Sequence, residues 1–119
     1  MNIKVKRVYE APDEADGTRI LVDRLWPRGF SKAGAPWDRW LKEVAPSDAL
    51  RRRVHGNPDM WPEFASAYAE ELDDQPEAVE ELLTMAEDGP LTLLFASRQE
   101  DRNNATVLRD YLVRKAARR

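Results

Sequence analysis

An aspartate, two arginines and a tryptophan crowd into the segment Asp23-Arg24-Leu25-Trp26-Pro27-Arg28, directly after the apolar run Ile20-Leu21-Val22. Arginine offers a planar fork of donors that meets phosphate or carboxylate bidentately. A carboxylate beside it can orient that fork or accept from a ligand hydroxyl. An indole can stack on a planar ring. A second polar stretch, Ser97 to Asn104, follows another apolar run, Leu91 to Ala96, and contains Arg98 and Asn103. It leads into a helical pattern whose first free N–H groups favour an anion. The candidate binding residues are therefore Asp23, Arg24, Trp26, Arg28, Arg98 and Asn103.

Each of these residues has an ordinary structural role open to it as well. Asp23 could pair with Arg24, Arg28 or Lys6 and tie loops together. Trp26 could anchor its own loop on the core. Asn103 is placed to cap the last helix. Support for catalysis is thinner. The chain has no Ser-His-Asp grouping, G-x-S-x-G elbow, P-loop or G-x-G-x-x-G. Asp23 with Glu100 or Asp101 would be an acid–base pair if the fold brought them together, and Asp23 is the only catalytic candidate.

Composition narrows the field. The 119 residues include no cysteine and one histidine, His55. Thiolate chemistry and disulfides are thereby excluded, and a zinc site, which needs three or four converging ligands, is not expected. No run reaches the roughly 18 apolar residues of a membrane span, and no signal-peptide pattern opens the chain. The expectation is a single cytoplasmic domain over 1–119, without cofactor or metal. The net charge of −3 hides a segregation: residues 1–56 hold 12 bases and 8 acids, residues 57–101 one base and 13 acids, and residues 102–119 six bases and one acid.

The scaffold that must position these residues is legible in the patterning. Ile3-Lys4-Val5-Lys6-Arg7-Val8-Tyr9 alternates like a strand. Ala11 to Thr18 is a polar loop. Arg19 to Asp23 and Leu91 to Ala96 read as strands covered on both faces, as in parallel sheets. Trp37, Trp40, Leu41 and Val44 recur at helical spacing. Ser47 caps a helix over 48–54, which His55-Gly56-Asn57 closes, with Arg51, Arg52 and Arg53 outward. Asn57-Pro58 starts a helix carrying Trp61, Phe64, Tyr68 and Leu72 on one stripe. Pro76 starts another that Gly89-Pro90 ends. A final helix runs from about Asn104 to Ala117. The expected fold is α/β, with a small, mostly parallel three-stranded sheet flanked by about five helices. The short link between the first two strands leaves antiparallel pairing open for them.

These residues also carry a resemblance. Lys6-Arg7-Val8-Tyr9, Asp16-Gly17, LVDRLWPRG at 21–29, WLKEVAPS at 40–47 and LTLLFASRQEDRNNATVL at 91–108 resemble the DUF488 family, in its YeaO-like branch. The similarity covers nearly the whole chain and implies a compact fold with a Rossmann-like sheet. It brings no activity with it. Distant members carry an Asp-x-Arg…Pro motif after the second strand, a place that Asp23, Arg24 and Pro27 roughly hold. They also carry a Cys-His-Arg-like motif opening the last helix, where this chain has Arg102-Asn103-Asn104. A thiol or histidine mechanism is thus not carried over. Gln99 stands where close relatives often have an acid.

The first functional expectation is a small anionic or nucleotide-like ligand at the carboxyl edge of the sheet, with or without turnover. A second is an interaction module that meets an acidic partner or nucleic acid through Arg51 to Arg53 and the tail from Arg114 to Arg119. The acidic middle argues against nucleic acid as that partner. A third is a hydrolase or transferase in the same pocket, with Asp23 as base.

Overall fold

The computed structural model describes residues 1–54 and 57–118. The readings made of His55 and Gly56, and of Arg119 at the end of the basic tail, fall outside the described residues. Among the described residues, four strands form one fully parallel sheet in the order β1-β4-β2-β3. They are β1 (Ile3–Arg7), β2 (Thr18–Leu21), β3 (Arg39–Trp40) and β4 (Leu91–Phe95). The α-helices are α1 (Asp48–Val54), α2 (Trp61–Asp73), α3 (Pro76–Asp88) and α4 (Asn104–Ala117), with short 3-10 turns at Glu14–Asp16, Lys42–Val44 and Pro58–Met60. The expected α/β class is correct; the expected three strands and five helices are not.

One segment accounts for both differences. Trp37 to Val44 forms the edge strand β3 and a 3-10 turn instead of a helix. Its backbone joins the sheet: the Asp38 N–H donates to the Arg19 carbonyl at 2.7 Å and the Leu41 N–H to the Leu21 carbonyl at 2.9 Å. The helical spacing is produced by two different contacts. Trp37 and Trp40 pack on one face of the sheet, with Val8, Leu21 and Leu94. Leu41 and Val44 join the main core on the other.

Alternation along the strands sorts the layers. Ile20, Val22, Leu91, Leu93 and Phe95 face the main core with Leu50 of α1, Tyr68 and Leu72 of α2, Leu82 of α3 and Leu108 and Leu112 of α4. Leu21 and Leu94 face the smaller cluster roofed by Phe30, Trp37 and Trp40. Strands buried on both sides are what the continuous apolar runs implied.

β1 and β2 do not pair with each other; β4 lies between them, parallel to both. The connection through residues 8–17 is short because it needs no helix. Ten extended residues reach roughly 33 Å, enough to run back along a strand of about 17 Å. The link is held down from β1. Lys6 Nζ donates to the Ala11 carbonyl and Lys4 Nζ to the Ala15 carbonyl, each at 2.9 Å. Both lysines also reach Asp16, at 3.0 Å from Lys6 and 3.5 Å from Lys4.

Asp16 is 1% exposed and additionally bonds the Arg19 guanidinium. Its carboxylate accepts the Asp13 N–H at 3.1 Å, while its backbone carbonyl accepts the Thr92 hydroxyl at 2.8 Å. Burial alone would raise its pKa. The bonds from Lys6, the Asp13 N–H and Arg19 override that and lower it from 3.8 to about 2. The adjoining Gly17 has φ +63°, and a β-carbon there would sit 2.2 Å from the Pro90 carbonyl oxygen. That same oxygen accepts the Thr18 N–H at 3.0 Å, the first rung between β2 and β4.

Candidate functional site

The parallel sheet brings the carboxyl ends of β2 and β4 to one edge, where a cleft of about 530 Å³ opens. The loop after β2 gives it Asp23, Arg24, Trp26 and Arg28; the turn after β4 gives Ala96 and Ser97; the start of α4 gives Asn103 and Asn104. Helix α1 adds Arg51 and Val54, α2 adds Trp61 and Phe64, and Tyr9 enters from beyond β1. Five of the six residues singled out from the sequence therefore meet in one cleft. Arg98 is exposed and lies outside its lining.

Asp23 stands at the floor. One carboxylate oxygen accepts the Ala96 N–H at 2.9 Å, and the other accepts from the Asn104 amide at 3.1 Å. Asn104 also donates to the Val22 carbonyl at 3.0 Å, so the start of α4 is pinned to the end of β2. The loop ion pair anticipated for Asp23 is not what forms: Lys6 is committed to Asp16, and Arg24 is nearest Asp48 at 3.9 Å. Burial pushes the Asp23 carboxyl above its usual 3.8, and the Ala96 N–H, the Asn104 amide and the charge of Arg51 offset only part of that.

The sign of the resulting pH dependence follows by linkage. A carboxyl whose native pKa is raised supports folding fully below its unfolded pKa and loses that support as pH rises through the native value. Asp23→Asn should therefore flatten the decline above pH 3.8. The amide oxygen keeps an acceptor for the Ala96 N–H, while the new amino group meets the Asn104 amide donor to donor, so the slope and not the absolute stability is the readout. Urea denaturation between pH 4 and about 8 measures this, and an unchanged slope would count against a desolvated carboxylate.

The arginines differ in how far they are committed. Arg24 donates through Nε to the Pro46 carbonyl at 3.1 Å. Arg51 pairs with Asp48 at 3.1 Å. Arg28 is exposed, and among the described residues its guanidinium makes no ion pair. Its position is fixed through the backbone, because the Tyr9 hydroxyl donates to the Arg28 carbonyl at 2.9 Å and the Tyr9 ring stacks on Phe30.

Two residues turn out to have mainly structural duties. The Trp26 N–H donates to the Phe30 carbonyl at 2.7 Å, and its ring meets Trp37 and Trp40 edge-on at 4.8 and 5.4 Å. It anchors its loop and shows the cleft only part of its surface. Asn103 is consumed by capping: its side-chain oxygen accepts the Thr106 N–H at 3.0 Å, and its amide donates to the Gln99 and Glu100 carbonyls. The neighbour, Asn104, is the residue that reaches Asp23.

Sequence reasoning missed Asn104 as an individual contributor, along with Tyr9, Arg51, Trp61 and Phe64. Arg51 reads as one of three outward arginines, and only its fold neighbour, Asp23, marks it out. Arg7 is a further supporting residue. Its guanidinium donates to the Ser97 and Ala96 carbonyls at 2.9 and 3.2 Å and lies over the Tyr9 ring. It thereby fixes the two peptides that directly follow the Ala96 N–H bonded to Asp23.

Comparison with known proteins agrees with the motifs. Residues 2–119 match the family model DUF488-N3i, described as the inactive DUF488-N3 subclade. The chain is 43% identical over 112 residues to the "Uncharacterized protein YeaO" of Escherichia coli, covering 94% of this chain and 97% of that one. It is also 43% identical over 110 residues to the "Uncharacterized protein Rv3073c" of Mycobacterium tuberculosis, covering 92% of each. No solved structure matches it. Among the described residues no helix is long and apolar enough to cross a membrane. The match along nearly its full length places the chain in the DUF488 family, in its YeaO-like N3i branch.

Proposed function

We propose that the cleft binds a small anionic, nucleotide-like ligand and does not turn it over. One observation carries this reading: Arg24, Arg28 and Arg51 line a cleft in which Asp23 is the sole acid among the described lining residues. Asp48, outside the lining, pairs with Arg51 and lies near Arg24, so three cations face two carboxylates and Arg28 supplies the positive surplus that an anion would neutralise. Arg28, exposed and without an ion pair among the described residues, has its fork available for bidentate contact.

Binding is favoured over turnover for two reasons. Both oxygens of Asp23 already accept hydrogen bonds, from Ala96 and Asn104, which suits an orienting role better than that of a free base. The family description, an inactive subclade, points the same way.

The test is titration calorimetry against nucleotides and sugar phosphates. Arg28→Ala should weaken binding roughly ten- to a hundredfold, the worth of a hydrogen bond to a charged group at about 1.5–3 kcal/mol. Affinity should also fall as salt rises. Saturable binding that survives Arg28→Ala unchanged would sink the assignment.

A further inference from the structure

The cleft has a second chemical half that an anion alone leaves unused. Trp61 and Phe64, from the first turns of α2, line it with Val54 of α1. Trp61 is half-buried, packed against the core along one side, and stacked on Phe64 with ring centroids 5.0 Å apart. Its large apolar surface lies in the same opening as three guanidinium groups. Water is a poor neighbour for such a surface, whereas a planar aromatic ring suits both its shape and its quadrupole. The carboxylate of Asp23 adds a third element: of about four acceptor positions, two are taken by Ala96 and Asn104. The remainder can accept from a hydroxyl or amino group of whatever fills the cleft. The volume of about 530 Å³ falls in the range of small-molecule sites.

We propose that the ligand is a nucleoside monophosphate, its base stacked on Trp61, its donors meeting Asp23 and its phosphate held by Arg24, Arg28 and Arg51. This rests on the anion-binding reading of the same cleft and sharpens it, because a sugar phosphate or inorganic phosphate would satisfy the arginines and leave Trp61 unused. The aromatic contribution is separable from the ionic one. Base–aromatic stacking is worth about tenfold or more in affinity, and phosphate contacts weaken with salt.

The experiment compares the four common ribonucleoside monophosphates with ribose 5-phosphate and inorganic phosphate by calorimetry at one ionic strength. Wild-type protein, Trp61→Leu, Trp61→Phe and Arg28→Ala would be used, each checked for folding by circular dichroism. At least one monophosphate should bind about tenfold or more tightly than ribose 5-phosphate. Trp61→Leu should erase that preference, Trp61→Phe should keep much of it, and Arg28→Ala should weaken nucleotide and sugar phosphate in parallel. Ribose 5-phosphate binding as tightly as every nucleotide overturns the nucleotide assignment and leaves the anion site standing; a preference that persists in Trp61→Leu overturns the stacking on Trp61. If none of the phosphates binds, or Arg28→Ala changes nothing, the anion reading falls and the nucleotide falls with it.

Discussion

Asp16→Asn is expected to lower the unfolding free energy by about 3–5 kcal/mol, the range for removing one member of a buried ionic cluster. The loss arises because Arg19, 7% exposed, would remain buried without its counter-ion. It should also loosen the link that carries the chain from β1 to β2, which Lys4 and Lys6 secure through the same carboxylate. The pH dependence gives a second readout. A carboxyl with a depressed native pKa contributes stability above its unfolded pKa and loses it as pH falls through the native one. Wild-type stability should thus decline between pH 3.8 and about 2, and Asp16→Asn should lack that component. Urea melts across this range measure both effects. A loss under about 1 kcal/mol at neutral pH would mean that the cluster gains little over solvated charges.

Gly17→Ala should cost about 2–5 kcal/mol, combining roughly 1–2 for a left-handed backbone with about 1–3 for overpacking. The β-carbon would lie 2.2 Å from the Pro90 carbonyl oxygen, and backbone, unlike a flexible side chain, cannot step aside cheaply. Because Pro90 also starts the β2–β4 ladder, the strain should reach the sheet. Hydrogen exchange at Thr18 would accelerate more than exchange in α3. By contrast, Gly29→Ala has no atom within 4 Å of the new β-carbon and bears only the positive φ. It serves as the internal comparison: equal losses at the two glycines would show that packing against Pro90 contributes nothing.

The sequence conveyed the two apolar runs and the polar segments that follow them, because burial on both faces leaves no alternation to misread. It therefore pointed to the sheet edge and to Asp23, Arg24 and Arg28 as neighbours of the start of α4. Trp37 to Val44 misled because spacing records only that residues are apolar; it does not say that Trp37 and Trp40 serve one side of the sheet while Leu41 and Val44 serve the other. Asp16 was hidden in a loop of ordinary polar composition, since nothing local announces that two lysines from β1 and an arginine from β2 converge on it. Asn103 and Asn104 are adjacent and chemically identical. Only the turn of the helix decides that one closes the cap and the other faces Asp23. Trp61 belongs to an apolar stripe and does touch the core; its second surface lines the cleft, which residue spacing does not encode.

The sheet order has a consequence for how the molecule comes into being. β1 pairs with β4 alone, and β2 has only the two-residue partner β3 until β4 arrives. During synthesis, the first strand therefore waits without a ladder until residues 91–95 have left the ribosome. Assembly is a late, long-range event, slower than local helix formation. The insertion that completes the sheet also delivers Ala96 and Asn104 to Asp23. Sheet and cleft are thus finished in one step, and a nascent chain that has not yet closed its sheet has no binding edge to offer.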